Sequence, residues 1–391
     1  MRSTSTLVIL SLSVVFSICI TACKKSQSPS PGIIKDTVNT SVLLPSATGF
    51  NKTIDGKQTR LYLLKNKNSA TAAITNYGAR LVALLVPDKT DTLRDVVMGF
   101  DSIAAYKQAG GYYGATLGRY AHRIAGGKFK LDGTEYTLFL NSTGNTLHGG
   151  KIGFDSKVWD ARQIDSKTLE LEYISNDLEE GFPGTLHAKV TYTLGDDNAL
   201  KISYQATTDK TTVVNLSNHI YFNLNGLDGS SILNHLVKAD ADNYLSVGTN
   251  KLPTGLIGQV AGTPLDFTSA TLIGARIAAD HPQIKIAKGY DTYLIFNTHS
   301  ATAAVASAQA DKSGIKMEVF TTEPGMEFYT SNSTPGTHTF FGGKKDVPHS
   351  SFAMETIHYP DSPNQSTFPS TVLKPGELYK TQTIYKFSVV K

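Results

Sequence analysis

The chain has 391 residues, and its 37 lysines and arginines against 33 aspartates and glutamates give a formal net charge of +4. Because the charged residues form no basic block, the composition argues against a nucleic-acid-binding protein. The only two cysteines, Cys19 and Cys23, lie in the first 23 residues, which excludes disulfides, cysteine nucleophiles and cysteine-ligated zinc from the rest of the chain.

The chain begins with a segment typical of export. A charged start precedes an apolar run over residues 7–20, which is too short to span a bilayer and fits a secretory signal. The run ends in ITAC, which resembles the lipobox of bacterial lipoproteins, where cleavage precedes the cysteine and its thiol is acylated. The alternative is a plain signal peptide whose cleavage site contains Cys23 by chance. Residues 24–47 are rich in Ser, Pro and Thr, as in a flexible tether.

These features predict the organisation of the whole chain. We expect an exported bacterial lipoprotein, anchored to a membrane only through its lipid and facing the periplasm or the cell surface. The expected segments are a signal peptide over 1–22, a tether over 23–47 that begins with lipidated Cys23, and one folded domain over 48–391.

Strand patterns dominate the chain after residue 48. Segments such as KFKLDGTEYTLFL (128–140), LHAKVTYTL (186–194) and KTQTIYKFSVV (380–390) alternate apolar and polar residues and end in turn formers. Only 103–109 and 270–280 have a helical pattern, and no internal repeat or linker divides the chain. The sequence therefore predicts an all-β fold, a single large antiparallel β-sandwich.

Generic cofactor and metal motifs fail when their spacing is checked. The Gly-Lys pairs at Lys128 and Lys344 lack the glycine that a phosphate-binding loop has five residues earlier. No two of the ten histidines are closer than nine residues, so no local pair of metal ligands exists. We therefore expect no cofactor and no metal.

Polar residues instead cluster in seven short segments. One of them, NHIYFNL (218–224), lies in the stretch LSNHIYFNL (216–224), which has the pattern of a buried strand with a histidine in its middle. The others place Arg, His, Asp or Glu beside glycine turns or at strand ends. The segments, in chain order, are GRYAHRI (118–124), LHGG (147–150), EGFPG (180–184), NHIYFNL (218–224), GYDTYLIF (289–296), TTEPGMEFYT (321–330) and ETIHYPDSPNQSTFPS (355–370).

In this order, and over residues 50–391, the segments resemble those of the aldose 1-epimerase (galactose mutarotase) family. The resemblance implies a galactose mutarotase-like supersandwich that interconverts the α and β anomers of free aldoses such as glucose or galactose. By the same match, His219 is the catalytic acid and Glu355 the catalytic base. The expected substrate-binding residues are His122, Arg123, His148, Asp291 and Glu327.

The chemistry of interconverting two anomers explains these residue types independently of the resemblance. Interconverting two anomers means opening the hemiacetal ring and closing it on the other face of the carbonyl. A base must take the proton of the C1 hydroxyl while an acid protonates the ring oxygen, and the roles then reverse. A carboxylate and an imidazole on opposite sides of that C–O bond can do this without a metal.

Four positions depart from the family pattern. His122 stands where the family usually has Asn, Thr292 replaces a His, Ile357 replaces a Gln, and Glu327 replaces a Gln. We expect these changes to fall on substrate contacts and to alter the preference between galactose and glucose. Because Glu327 would share a cleft with two other carboxyls, we expect it to be partly protonated and to donate to a sugar hydroxyl.

Two other functions stay open at this stage. The first is a glycosidase or lyase on a similar sandwich, in which Glu355 pairs with Glu327 or Asp291. The second is a sugar-binding lipoprotein without catalytic activity. In each case we expect a monomer that binds a small-molecule sugar and no nucleic acid.

Overall fold

The structure is a computed structural model and describes residues 44–227 and 231–390. Over these residues the regular secondary structure is mostly β-strand, as the alternating patterns predict. In chain order the strands are β1 (Thr53–Ile54), β2 (Lys57–Gln58), β3 (Leu61–Lys65), β4 (Thr71–Thr75), β5 (Arg80–Pro87), β6 (Leu93–Asp95), β7 (Thr116–Leu117), β8 (Arg123–Ile124), β9 (Lys128–Leu131), β10 (Thr134–Thr137), β11 (Thr146–Leu147), β12 (Asp160–Gln163), β13 (Thr168–Ser175), β14 (Leu186–Leu194), β15 (Ala199–Thr208), β16 (Thr212–Val213), β17 (Ser217–Asn218), β18 (Leu236–Ala239), β19 (Asn243–Val247), β20 (Pro253–Gln259), β21 (Thr271–Leu272), β22 (Asp291–Ile295), β23 (Ala306–Gln309), β24 (Ile315–Thr321), β25 (Gly325–Tyr329), β26 (Ala353–Ile357), β27 (Val372–Leu373) and β28 (Tyr379–Val389).

The described residues contain two short α-helices, α1 (Ile103–Ala109) and α2 (Pro282–Ala287). The helix predicted over 103–109 is confirmed, and the Ser102 hydroxyl caps it by accepting from the Ala105 N–H at 3.3 Å. The α-helix predicted over 270–280 is wrong, because that stretch forms β21, one 3-10 turn at Ile273–Ala275 and irregular backbone. Helix α2 begins only at Pro282, whose fixed φ suits the first turn of a helix and disfavours helical backbone just before it.

The largest sheet has nine strands in the order β12-β13-β14-β15-β28-β24-β23-β18-β21, and its pairs are antiparallel. Strand β14 shows why the sequence forms this sheet, since every second residue from Leu186 to Leu194 is buried and the residues between them are more exposed. A strand with this period presents one apolar face to a core and one polar face to solvent.

Two smaller sheets share their core with this large sheet. They have the orders β3-β4-β5-β6 and β20-β19-β22-β25-β26. One continuous cluster of buried residues includes Val190 from the large sheet, Leu84 from the four-stranded sheet and Met326 from the five-stranded sheet. The fold is therefore all-β and of the sandwich class, as predicted.

The predicted segments before residue 44 lie outside the described residues. These are the signal peptide over 1–22, Cys23, and the tether as far as residue 43, so the predicted boundaries stay predictions. Among the residues that the structure describes, no helix has the length and apolar character needed to cross a membrane.

Candidate active site

Three neighbouring strands bring three carboxyls to one face of the five-stranded sheet. Asp291 on β22 pairs with Tyr329 on β25, and Tyr293 pairs with Glu327. Glu327 in turn pairs with Glu355 on β26. Because paired residues in a sheet point to the same side and alternate residues share a face, Asp291, Glu327 and Glu355 are neighbours on this face.

His219 approaches the same face from another part of the chain. The stretch that the sequence predicts as one buried strand is regular only at β17, and His219 follows it directly. The His219 N–H donates to the Ala115 carbonyl at 2.9 Å, and the His219 carbonyl accepts from the Gly114 N–H at 2.8 Å. These bonds hold the imidazole so that Nε2 lies 3.3 Å from Glu355 Oε1.

Two tyrosine rings set the plane of the His219 imidazole. The Tyr221 ring is parallel to it within 12° at a centroid distance of 4.6 Å, and the Tyr112 ring is parallel within 15° at 6.2 Å. Contacts of this kind restrict rotation of a buried ring. The packing of the two tyrosine rings therefore fixes the position of the His219 imidazole, as a group that exchanges a proton with one particular atom requires.

His122, Arg123 and His148 lie around the second carboxyl. His122 Nε2 is 3.4 Å from Glu327 Oε2, and Arg123 Nη1 lies 3.3 Å from the same nitrogen. The backbone N–H of His122 donates to His148 Nδ1 at 3.1 Å, which fixes the orientation of the His148 ring. The structure thus brings His122, Arg123, His148 and Glu327 together, as the resemblance implies.

The glycine turn after His148 is required by close backbone packing. Gly149 has a φ of +97°, and a Cβ atom on it would lie 1.9 Å from the carbonyl oxygen of Gly118. No side chain fits that space, and positive φ favours glycine. The LHGG segment therefore allows the chain to bring His148 beside His219 and Glu355. We call the space between these three side chains, Asp291 and Glu327 the cleft.

Burial sets the protonation of the two glutamates. Their side chains are 5% and 4% exposed, and this burial raises the pKa of both Glu327 and Glu355 well above the usual range. The negative charge of Asp291 raises both values further. Burial also acts to raise the pKa of Asp291, but the positive charges of Lys251 and Arg123 outweigh it, and the pKa is lowered.

The three histidines of the cleft shift in the opposite direction. Burial lowers the pKa of His219 to about 4 and that of His122 to about 3, and it lowers the pKa of His148 well below its usual range. All three imidazoles are therefore neutral near pH 7 and can accept or exchange a proton.

Lys251 is a member of the cleft that sequence reasoning missed. Its Nζ lies 2.8 Å from Asp291 Oδ2. Tyr112 and Tyr221 were missed as well, although Tyr221 lies in the NHIYFNL segment. No local pattern pointed to Lys251 or Tyr112, because both reach the cleft from turns that are distant in sequence.

The four departures from the family pattern do not all lie in the cleft. His122 and Glu327 do, and they contact one another. Thr292 pairs with Phe328 and so points to the opposite face of the sheet, towards the core. Ile357 is completely buried in an apolar cluster. The expectation that all four fall on substrate contacts is therefore wrong for Thr292 and Ile357.

The cleft also has a donor set of the kind that binds transition metals. One atom each from His148, His219 and Glu355 lie within 4.8 Å of one another, and all three side chains are buried. Two imidazoles and a carboxylate suit zinc. The same three groups can equally exchange protons with a bound hydroxyl, which requires no metal.

Fold and site together define a class of protein, an all-β sandwich in which acid–base side chains meet in one buried cleft. A family model described as "Aldose 1-epimerase" matches residues 60–386. Galactose mutarotase from Bos taurus is 41% identical over 316 residues, which cover 81% of this chain and 90% of the relative. Aldose 1-epimerase from Escherichia coli (strain K12) is 36% identical over 85% of this chain and 96% of the relative. The chain belongs to the aldose 1-epimerase family.

Solved structures agree with this assignment. A GalM/aldose epimerase homologue from C. elegans superposes with a TM-score of 0.79 at 29% identity, over 85% of this chain and all of that one. Galactose 1-epimerase from Lactobacillus acidophilus superposes with a TM-score of 0.77 at 28% identity, over 87% and 97% of the two chains. The predicted galactose mutarotase-like fold is thereby confirmed.

Proposed function

We propose that the protein is an aldose 1-epimerase that interconverts the α and β anomers of free aldoses such as galactose or glucose. The observation that carries this proposal is the 3.3 Å separation between His219 Nε2 and Glu355 Oε1 in a buried cleft. Membership of a family of mutarotases supports it, with identities of 36–41% to named relatives.

The proposed reaction moves two protons and breaks one C–O bond. Glu355 takes the proton of the C1 hydroxyl, and the electron pair of that O–H bond forms the carbonyl. The bond between C1 and the ring oxygen breaks, and the ring oxygen takes a proton from His219. After the C1–C2 bond rotates, His219 takes that proton back while the oxygen attacks the other carbonyl face, and Glu355 returns its proton to the new hydroxyl.

The pair carries one proton, which the reaction must move. Burial raises the pKa of Glu355 and lowers that of His219 to about 4, so before the sugar binds the proton resides on Glu355 and the imidazole is neutral. Because His219 Nε2 lies 3.3 Å from Glu355 Oε1, we propose that the proton passes to His219 as the sugar binds, which leaves Glu355 as the base and His219 as the acid.

The remaining polar side chains are proposed to bind the sugar hydroxyls. Arg123 and Asp291 provide charged donors and acceptors, which make the stronger class of hydrogen bond. His148 has Nε2 available, since its Nδ1 accepts from the backbone of His122. Protonated Glu327 donates through its O–H, as the amide of a glutamine at this place would.

Polarimetry on freshly dissolved α-galactose and α-glucose tests the function. We expect the purified protein to accelerate the decay of optical rotation for at least one of the two sugars. Release of reducing ends from oligosaccharides would instead indicate the glycosidase or lyase. Sugar binding by calorimetry without faster mutarotation would identify the non-catalytic alternative, and either result would refute the proposal.

We also propose that the protein is an exported lipoprotein, on the strength of the ITAC segment that ends at Cys23 and the Ser- and Pro-rich residues that follow. Stable anchoring requires more than one acyl chain, as lipoprotein acylation would supply. Cys23→Ser should release soluble protein from the membrane fraction. If the variant still sediments with membranes, the proposed anchor is wrong.

We also propose that the protein is a monomer, because the proposed reaction needs no residue from a second chain. Light scattering of the released Cys23→Ser variant tests this.

A further inference from the structure

Lys251 lies in the tight turn between β19 and β20 and reaches a residue 40 positions away. Its backbone has a φ of +59°, in the left-handed region that lysine seldom adopts. The Lys251 N–H donates to the Gly248 carbonyl at 2.8 Å, and the Gly248 N–H donates to the Leu252 carbonyl at 3.0 Å. This turn directs the side chain to Asp291, with Nζ at 2.8 Å from Oδ2.

The contact differs from an ordinary surface ion pair. The Asp291 side chain is only 15% exposed, whereas that of Lys251 is 33% exposed. The ammonium therefore compensates a carboxylate that water reaches poorly, and such a pair is screened less than one in solvent. The positive charge of Lys251 also acts on His122 and Glu327, so it belongs to the electrostatics of the cleft.

We propose that Lys251 is a positioning residue for substrate binding, which holds Asp291 ionised and aimed at the sugar hydroxyls. This inference rests on the proposed mutarotase function. The Lys251 ammonium pairs with Asp291, which takes no part in the proposed proton transfers, so we expect its effect to fall on affinity. Without the ammonium, Asp291 accepts a proton more readily and loses an acceptor lone pair for the sugar.

The sign of the pH effect follows from every group that faces Asp291. The groups in electrostatic contact with it are Lys251, Arg123, His122, His219, Tyr221, Glu327, Tyr329 and Glu355. Lys251 lowers the pKa of Asp291, His122 and Glu327. Removing its charge raises all three values, so the pH profile of kcat/KM must move to higher pH.

The experiment compares Lys251→Met and Lys251→Arg with the wild type. Methionine keeps most of the length and removes the charge, whereas arginine restores the charge. Lys316→Met is the matched control, because Lys316 is also 33% exposed and pairs with Glu318 at 2.9 Å on a different sheet. The readouts are KM and kcat for galactose and glucose and the pH profile of kcat/KM, each corrected for spontaneous mutarotation.

We expect Lys251→Met to raise KM about tenfold while kcat changes by less than about threefold, since a weakened hydrogen bond to a charged group has this order of effect. We also expect its kcat/KM profile to move to higher pH, and Lys251→Arg to restore both properties. If Lys251→Met behaves like Lys316→Met, or if it loses kcat with an unmoved pH profile, the positioning role is refuted. An inactive wild type would instead refute the proposed function, so the two failures are distinct.

Discussion

His219 Nε2 lies 3.3 Å from Glu355 Oε1, and the two side chains are only 8% and 4% exposed. They come from segments more than 130 residues apart and meet because β26 lies beside the β17 segment in the fold. The second oxygen of Glu355 makes no hydrogen bond to the protein. One carboxyl can therefore contact both the imidazole and a bound hydroxyl.

Removing the basicity of Glu355 tests its role directly. Glu355→Gln keeps the shape of the side chain but cannot accept the C1 hydroxyl proton, so we expect kcat to fall by about 10²–10⁴-fold, the usual scale for general-base catalysis. KM should change little, because the amide still occupies the same space. Polarimetric progress curves at several sugar concentrations separate the two constants.

The matched control for this variant is Glu318→Gln on β24, whose side chain is 31% exposed and lies outside the cleft. Circular dichroism should show that both variants are folded. Wild-type kcat in folded Glu355→Gln would show that another group acts as the base.

The low pKa of the cleft histidines predicts that kcat depends on pH in an unusual way on the acidic side. Burial lowers the pKa of His219 to about 4, so the His219–Glu355 pair gains its second proton only near that pH. A histidine at its ordinary value would lose function around pH 6.5. We therefore expect kcat to stay constant as the pH falls through 6.5 and to decline only near pH 4, measured on protein shown to be folded throughout. An inflection at about pH 6.5 would contradict the burial of this pair.

The raised pKa of Glu327 predicts how kcat/KM changes with pH on the alkaline side. Burial and the charges of Asp291 and Glu355 raise its pKa, so Glu327 is protonated at low pH and loses its donor O–H as the pH rises. Affinity for the sugar should weaken in the same range. Glu327→Gln keeps a donor at every pH, and we expect the variant to stay active and to hold its kcat/KM further into the alkaline range.

The measurement is kcat/KM from about pH 5 to about pH 9 for wild type and Glu327→Gln, the range in which a raised carboxyl pKa is visible. Glu318→Gln again serves as the control for a neutralised glutamate outside the cleft. Superimposable profiles for wild type and Glu327→Gln would show that Glu327 does not donate to the sugar.

The sequence predicted the chemical groups of the cleft better than their surroundings. Strand alternation and the ordered motifs predicted the sandwich and brought Asp291, Glu327 and Glu355 into one site. The same reasoning misplaced Thr292, because a motif match does not say which face of β22 a residue occupies. It also missed Lys251, because the contact with Asp291 depends on a left-handed turn and a long-range approach that no local pattern records.

The helix prediction failed for a related reason. Residues 270–280 have a helical apolar pattern, but β21 pairs with β18 at the edge of the nine-stranded sheet. Tertiary pairing of a short segment outweighed its local preference, as is common where propensity differences are small. Helix α1 formed as predicted because it begins at a side-chain cap and packs Ile103 and Tyr106 into the core.

The convergence of His148, His219 and Glu355 predicts inhibition by zinc. Their ligand atoms lie within 4.8 Å of one another, and zinc binds imidazole nitrogen and carboxylate oxygen at about 2.0–2.2 Å. The lowered pKa leaves each imidazole neutral near pH 7, with one ring nitrogen free of a proton; in His148 that nitrogen is Nδ1, so zinc must displace the hydrogen bond from the His122 N–H. Since a metal here would occupy the place of the C1 hydroxyl, we expect added Zn²⁺ to raise the apparent KM without changing kcat, and excess EDTA to restore the original value.

Mg²⁺ is the control, because it prefers oxygen ligands and should have no effect. His148→Gln should retain measurable turnover and lose most of the sensitivity to zinc. If zinc leaves KM unchanged in the wild type, the three donors do not converge in solution as closely as the structure places them.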